Sequence, residues 1–183
     1  MIRLLCRLLL IALFLAGDWG HAAMAGPVAA GTVIRNVATG SYIDTSTGLW
    51  SRISSNAVST TVAPQEALEL TANQNAIFTP GSHFVFSHLL TNRGNVASAV
   101  QLAVSAMPGG EFVPSNLHIV QDVNGNGTID AGEPEVHEGQ SIALAAGQSV
   151  MLLVSGDVPA AATAGQTAQL ALRAFTVAQG AAA

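Results

Sequence analysis

Residues 122–133 read DVNGNGTIDAGE, with oxygen-bearing side chains at positions one, three, five, seven, nine and twelve and glycine at six. Calcium takes six to eight hard oxygens at once, and a twelve-residue loop can deliver them by wrapping around the ion. In this reading Asp122, Asn124 and Asn126 supply side-chain oxygens, Gly127 makes the sharp turn and Thr128 presents its backbone carbonyl. Asp130 binds directly or through water, Glu133 closes the shell with two oxygens, and Ile129 turns inward to hold the loop against the domain. The stretch satisfies the pattern D-x-[DN]-x-[DN]-G-x5-E at every position. The same residues also suit a plain hairpin turn, because Asn-Gly is a strong short turn signal and occurs here twice. Asn126-Gly-Thr is formally a glycosylation sequon, although a loop wrapped on an ion is a poor acceptor.

The flanks set the kind of site. An EF-hand requires a helix on each side, yet LHIV before the loop reads as a strand. Pro134 follows Glu133 directly and Gly139 comes soon after, so no useful exit helix can form. A calcium sensor works by swinging helices. The loop is therefore expected to be structural, an ion clamp between strands outside the cell.

The elements that position this loop follow from the rest of the chain, which has 183 residues, 50% of them hydrophobic and only 9% charged. Residues 1–25 carry two arginines, an apolar run LLLIALFLAG and the small-x-small sequence AMA, the pattern of a Sec signal peptide cut after Ala25. Ten apolar residues make about 15 Å of helix against a hydrocarbon core of about 30 Å, so no membrane span is expected after cleavage. Cys6, the only cysteine, leaves with the signal, and with it any disulfide. Lysine is absent, which excludes lysine–asparagine isopeptide crosslinks. Residues 26–183 retain four arginines against ten acids, five of the acids between Asp122 and Glu138. Arg35, Arg52, Arg93 and Arg173 are too scattered to form a nucleic-acid surface.

Residues 26–183 read as a single all-β domain, with its core at about 30–176 and the calcium loop at 122–133. Runs such as HFVFSHLL, AVQLAVSA, SVMLLVSGDV and TAQLALRAFTV alternate, and TNRGN, MPGG and TSTG punctuate them as turns. Phe84, Phe86, His88 and Leu90 share one face, as do Val100, Leu102 and Val104, then Val150, Leu152 and Val154, then Leu170 and Leu172. About eight strands spaced by turns predict an antiparallel β-sandwich.

The segments AGTVIRNVATGSYID, SSNAVSTTV and PGSHFVFSHLLTNRGNVASAVQLAVS resemble the bacterial conserved-repeat surface domains, which are immunoglobulin-like modules of exported proteins. DVNGNGTIDAGEPEV and LAAGQSVMLLVSGDVPAAATAG are similar to the calcium-loop half of those modules, so that the likeness covers most of residues 30–176. It implies an immunoglobulin-like fold and a place at the periplasm, cell surface or extracellular space.

Catalytic motifs are absent: there is no Gly-x-Ser-x-Gly elbow, HExxH helix, phosphate loop or cysteine nucleophile. His83 and His88 fall on opposite faces of one strand and cannot share a metal. The expectation is a non-catalytic structural or adhesive module with calcium as its only cofactor. Its surface or matrix partner is not identified, and self-association is open. The alternative is a carbohydrate-binding module using Trp50, in STGLWSR, with Tyr42.

Overall fold

The computed structural model describes residues 26–71 and 73–177, and the expected signal segment 1–25 lies outside them. These residues form eleven strands: β1 Val33–Asn36, β2 Thr39–Ile43, β3 Trp50–Ser54, β4 Val58–Thr61, β5 Leu68–Leu70, β6 His83–Asn92, β7 Ser98–Ala106, β8 Ser115–Asp122, β9 Ser141–Leu144, β10 Ser149–Asp157 and β11 Leu170–Val177. Every pairing is antiparallel. No helix occurs among the described residues, and so none is long and apolar enough to cross a membrane.

Alternation builds the core. Leu90 on β6, Val100 and Leu102 on β7, Ile119 on β8, Leu144 on β9, and Leu152 and Val154 on β10 are buried together, with Phe86, Val104, Val150 and Leu172 packed against them. These are the inward faces that the period of two predicts. Each fully buried leucine or valine contributes about 1.5–3 kcal/mol relative to exposure. One sheet runs β5-β6-β10-β8, which is the A-B-E-D order of an immunoglobulin-type sandwich, and the other runs β11-β7-β9. β10 lies between β6 and β8, and its opposite face is buried too at Leu153 and Ser155. A central strand screened on both sides accounts for the run VMLLV losing its alternation.

The first four strands lie outside these two sheets. β1 pairs with β4 and β2 with β3, forming one long hairpin interrupted where Ala38 meets Ser55. There the Ser55 hydroxyl accepts from Ala38 N at 3.0 Å, and Ser55 N donates to Ala38 O at 2.9 Å. The expectation of a core beginning near residue 30 thus differs from the arrangement observed, in which the paired sheets begin at Leu68. Their sequences are as β-branched as the others, and only the absence of a partner sheet separates them.

The TNRGN turn joins this arm to the sandwich. Asn92, 0% exposed, donates from Nδ2 to Val96 O at 2.9 Å and Leu144 O at 3.0 Å, while its Oδ1 accepts from Gly94 N at 2.9 Å. Its backbone bonds Gln148 O and Gly147 N, both at 2.9 Å. Asn95 holds the base of the arm, with Oδ1 accepting from Gln65 N at 2.7 Å and Nδ2 donating to Ala63 O at 3.1 Å. Gly94 is required because a Cβ there would collide with the carbonyl oxygen of Gln65.

His88 projects into the sandwich as its face predicts, and its buried Nδ1 has no hydrogen-bond partner. Burial lowers its pKa below the ordinary 6.5, against a weaker opposite pull from the Thr71 backbone. The folded state therefore binds fewer protons than the unfolded chain as pH falls below 6.5, so stability complete above that pH is lost on acidification.

Two outcomes follow. Asn92→Ala strands the Leu144 and Val96 carbonyls and should lower unfolding stability by about 3 kcal/mol, read from urea midpoints. Between pH 7 and pH 5 the melting temperature should fall, and His88→Leu should flatten that slope.

Candidate metal centre

β8 delivers Asp122, its last residue, to the start of the acidic loop as a buried carboxylate. Burying a charge requires compensation, and the backbone that follows supplies it. Asp122 Oδ1 accepts from Gly125 N at 2.5 Å and Asn126 N at 3.2 Å, and Oδ2 accepts from Gly127 N at 2.8 Å. Curling the chain that tightly needs a left-handed residue, and Gly127 has φ of 74°.

The remaining candidates gather around this curl. Asn124 Nδ2 and Asn126 Nδ2 both donate to Asp130 Oδ2, at 2.8 and 2.6 Å. Those two bonds, Asn124 first, hold the Asp130 carboxyl below the usual carboxylate range. Asn126 Oδ1 accepts from the Thr128 backbone and hydroxyl, both at 2.8 Å. Glu133 spans the loop, with Oε1 accepting from Val123 N and Oε2 from Asp130 N, each at 3.1 Å. Asp122, Asn124, Asn126, Thr128, Asp130 and Glu133 thus belong to one hydrogen-bonded ring. Among the described residues no three Asp, Glu, His or Cys side chains stand close enough together to hold a metal as placed. Asp122 and Glu133 accept from backbone N–H groups and Asp130 from the two Asn side-chain amides, so each carboxylate faces a donor and not another carboxylate. Ile129 is 38% exposed, so it does not tuck inward as expected.

Strands flank the loop, as its sequence requires. After Glu133 the chain returns alongside β8, where Gln121 N donates to Pro134 O and Val136 N to Ile119 O, each at 2.8 Å, with a bridge between Val120 and Glu135. By type and number the donors suit a hard, oxygen-preferring cation. In the geometry observed both Asn amides point their nitrogens at Asp130, so their oxygens would have to rotate inward to serve one.

A second polar cluster escaped the sequence reading. His83 Nδ1 donates to Asp157 Oδ1 at 2.9 Å, and its Nε2 accepts from the Ser155 hydroxyl at 2.8 Å. Asn116 Nδ2 donates to Asp157 Oδ2 at 2.6 Å. The His83 bond, then that of Asn116, lowers the Asp157 pKa. The connectivity is that of a serine–histidine–aspartate relay. Register carries the signal, since His83 pairs with Asp157 across β6 and β10 and Ser155 lies two residues along the same face. Ser155, however, is 0% exposed and gives a substrate no face to meet. With Asn116 of β8, the trio ties the start of β6 to β8 and β10.

Trp50 is 72% exposed near the tip of the arm, not over an end of the sandwich. It pairs with Ile43, whereas Tyr42 pairs with Ser51 and falls on the other face of the hairpin. The two rings do not form one stacking platform.

No protein-family model matches the chain, and no curated protein matches its sequence.

Asp122→Ala removes the acceptor for three backbone amides, so in chelator the Gly125, Asn126 and Gly127 amides should exchange with deuterium faster while those of β10 remain protected.

Proposed function

We propose that the protein is an exported, non-catalytic structural or adhesive module of the cell surface, stabilised by calcium in the 122–133 loop. The observation that carries this reading is that all six candidate residues take part in one hydrogen-bonded network within a short loop between two strand segments, with no helix on either flank. Asp122, Asn124, Asn126, Asp130 and Glu133, with the Thr128 carbonyl, would hold the ion. The ion would supply positive charge to three carboxylates that otherwise accept only from backbone and Asn amides. A loop flanked by strands has no helix to swing, which supports a clamp over a sensor. Trp50 favours a second reading as a sugar-binding module, but the placement of Tyr42 on the opposite face leaves a single ring to do the stacking.

With two neutral amides among the donors, Kd should be on the order of 10⁻⁴ to 10⁻³ M, the range of extracellular modules. At ten times Kd the linkage amounts to about 1.4 kcal/mol, a melting rise of about 5 °C for a chain of this size. The rise should disappear in Asp122→Ala and Glu133→Ala, and magnesium should not reproduce it. Superimposable melting curves in chelator and in about 10 mM calcium would return the loop to the status of a turn.

A further inference from the structure

We infer that the β2–β3 half of the arm adds as a strand to a groove in the sandwich of a second copy of this chain. The groove results from incomplete pairing. β7 runs Ser98–Ala106, but β9 pairs only with Ser98–Gln101. On the side away from β11, Leu102–Ala106 meets no strand among the described residues. Beside that free edge lies a cleft of about 320 Å³, with Leu102, Val104, Ile119 and Val136 along it and Glu135 and Glu138 on its rim. A strand edge next to a cleft of mixed polar and apolar lining is an arrangement into which an extended segment docks, with main-chain bonds for affinity and side-chain pockets for specificity.

The arm is the complementary piece. Tyr42, Ile43, Leu49, Trp50 and Ile53 are all exposed on it, and they lie on both of its faces. A two-stranded hairpin is marginal in water by itself, and exposed apolar surface of this kind marks a contact site. β3 is five residues long, and the unpaired edge of β7 is also five. Charge selects a second copy as the occupant. The docking strand β3 carries Arg52 and no acid, and the only acid on the β2–β3 half is Asp44 in its turn. The rim of the cleft is acidic, and five acids fall between Asp122 and Glu138. Arm and cleft are different surfaces of one chain, so the contact is heterologous and propagates head to tail.

Sedimentation velocity on the purified protein over a concentration series tests this, run in chelator and again in calcium so that it stands apart from the calcium reading. Wild type should form a growing series of oligomers in both. Trp50→Ser with Ile53→Ser, which alters only exposed arm residues, should weaken association at least about tenfold, as should Glu135→Arg with Glu138→Arg on the exposed rim. Each doubly substituted chain retains the surface that the other has lost, so a one-to-one mixture should restore a heterodimer and nothing larger. Circular dichroism melts matching wild type establish that both variants are folded. A wild-type monomer at every concentration, association untouched by either variant, or a mixture without heterodimer would each overturn the inference.

Discussion

The buried amide of Asn92 joins parts of the molecule that otherwise have little to do with one another. Its nitrogen bonds Leu144 at the end of β9, its oxygen bonds the turn at Gly94, and its backbone bonds the turn leading into β10. A fully buried polar side chain is tolerable only when such bonds are complete, so the three segments have to arrive together. Leu144 then sets β9 against β7 in one sheet, while Asn92 itself ends β6 in the other. The two sheets are therefore tied at this end by an amide as well as by apolar packing. The same turn reaches outward through Asn95, which holds the base of the arm.

The core was legible because burial on one face of a strand leaves a period of two in the sequence, and the residues from Phe84 to Leu90 and from Val100 to Val104 carry it clearly. The division of labour among strands was not. Val33, Ile34, Ile43 and Ile53 are as β-branched as any core residue, yet all are exposed. Propensity records that a segment is extended, and only tertiary pairing decides what covers it. The candidate site divides in the same way. The spacing from Asp122 to Glu133 kept these residues within one short loop, because short-range contacts are written locally, but it did not foretell the exposure of Ile129 or the turning of both Asn amide nitrogens toward Asp130. The His83–Ser155–Asp157 cluster depends on a register between strands 72 and 74 residues apart, which no local spacing records.

Within the loop, electrostatics explains both its closure and its sequence. Three carboxylates in twelve residues repel, and the chain answers with glycines that turn backbone N–H groups toward Asp122 and with amides that turn theirs toward Asp130. These are the residues that a cation-binding loop uses, because donors and acceptors occur on the same short side chains and an Asn can present either end. In this ring every carboxylate oxygen of Asp122, and one of Asp130, accepts at least one hydrogen bond from the loop.

The loop also accounts for the cleft. Pro134 has no N–H to extend a ladder, but its carbonyl accepts from Gln121, so the chain leaving Glu133 lies beside β8 for only a few residues. It must then cross to the other sheet, and Gly139, with φ of 80°, lies on that crossing just ahead of β9. Because the crossing occupies residues 137–140, β9 begins too late to reach the second half of β7. Exposed strand edges are usually shortened, charged or covered. Here β8 is covered by the return of the acidic segment, and Glu135 and Glu138 guard the edge of β7 with charge, without closing it. Charge of this sign disfavours an acidic strand, and β3, with Arg52 and no acid, carries the opposite sign.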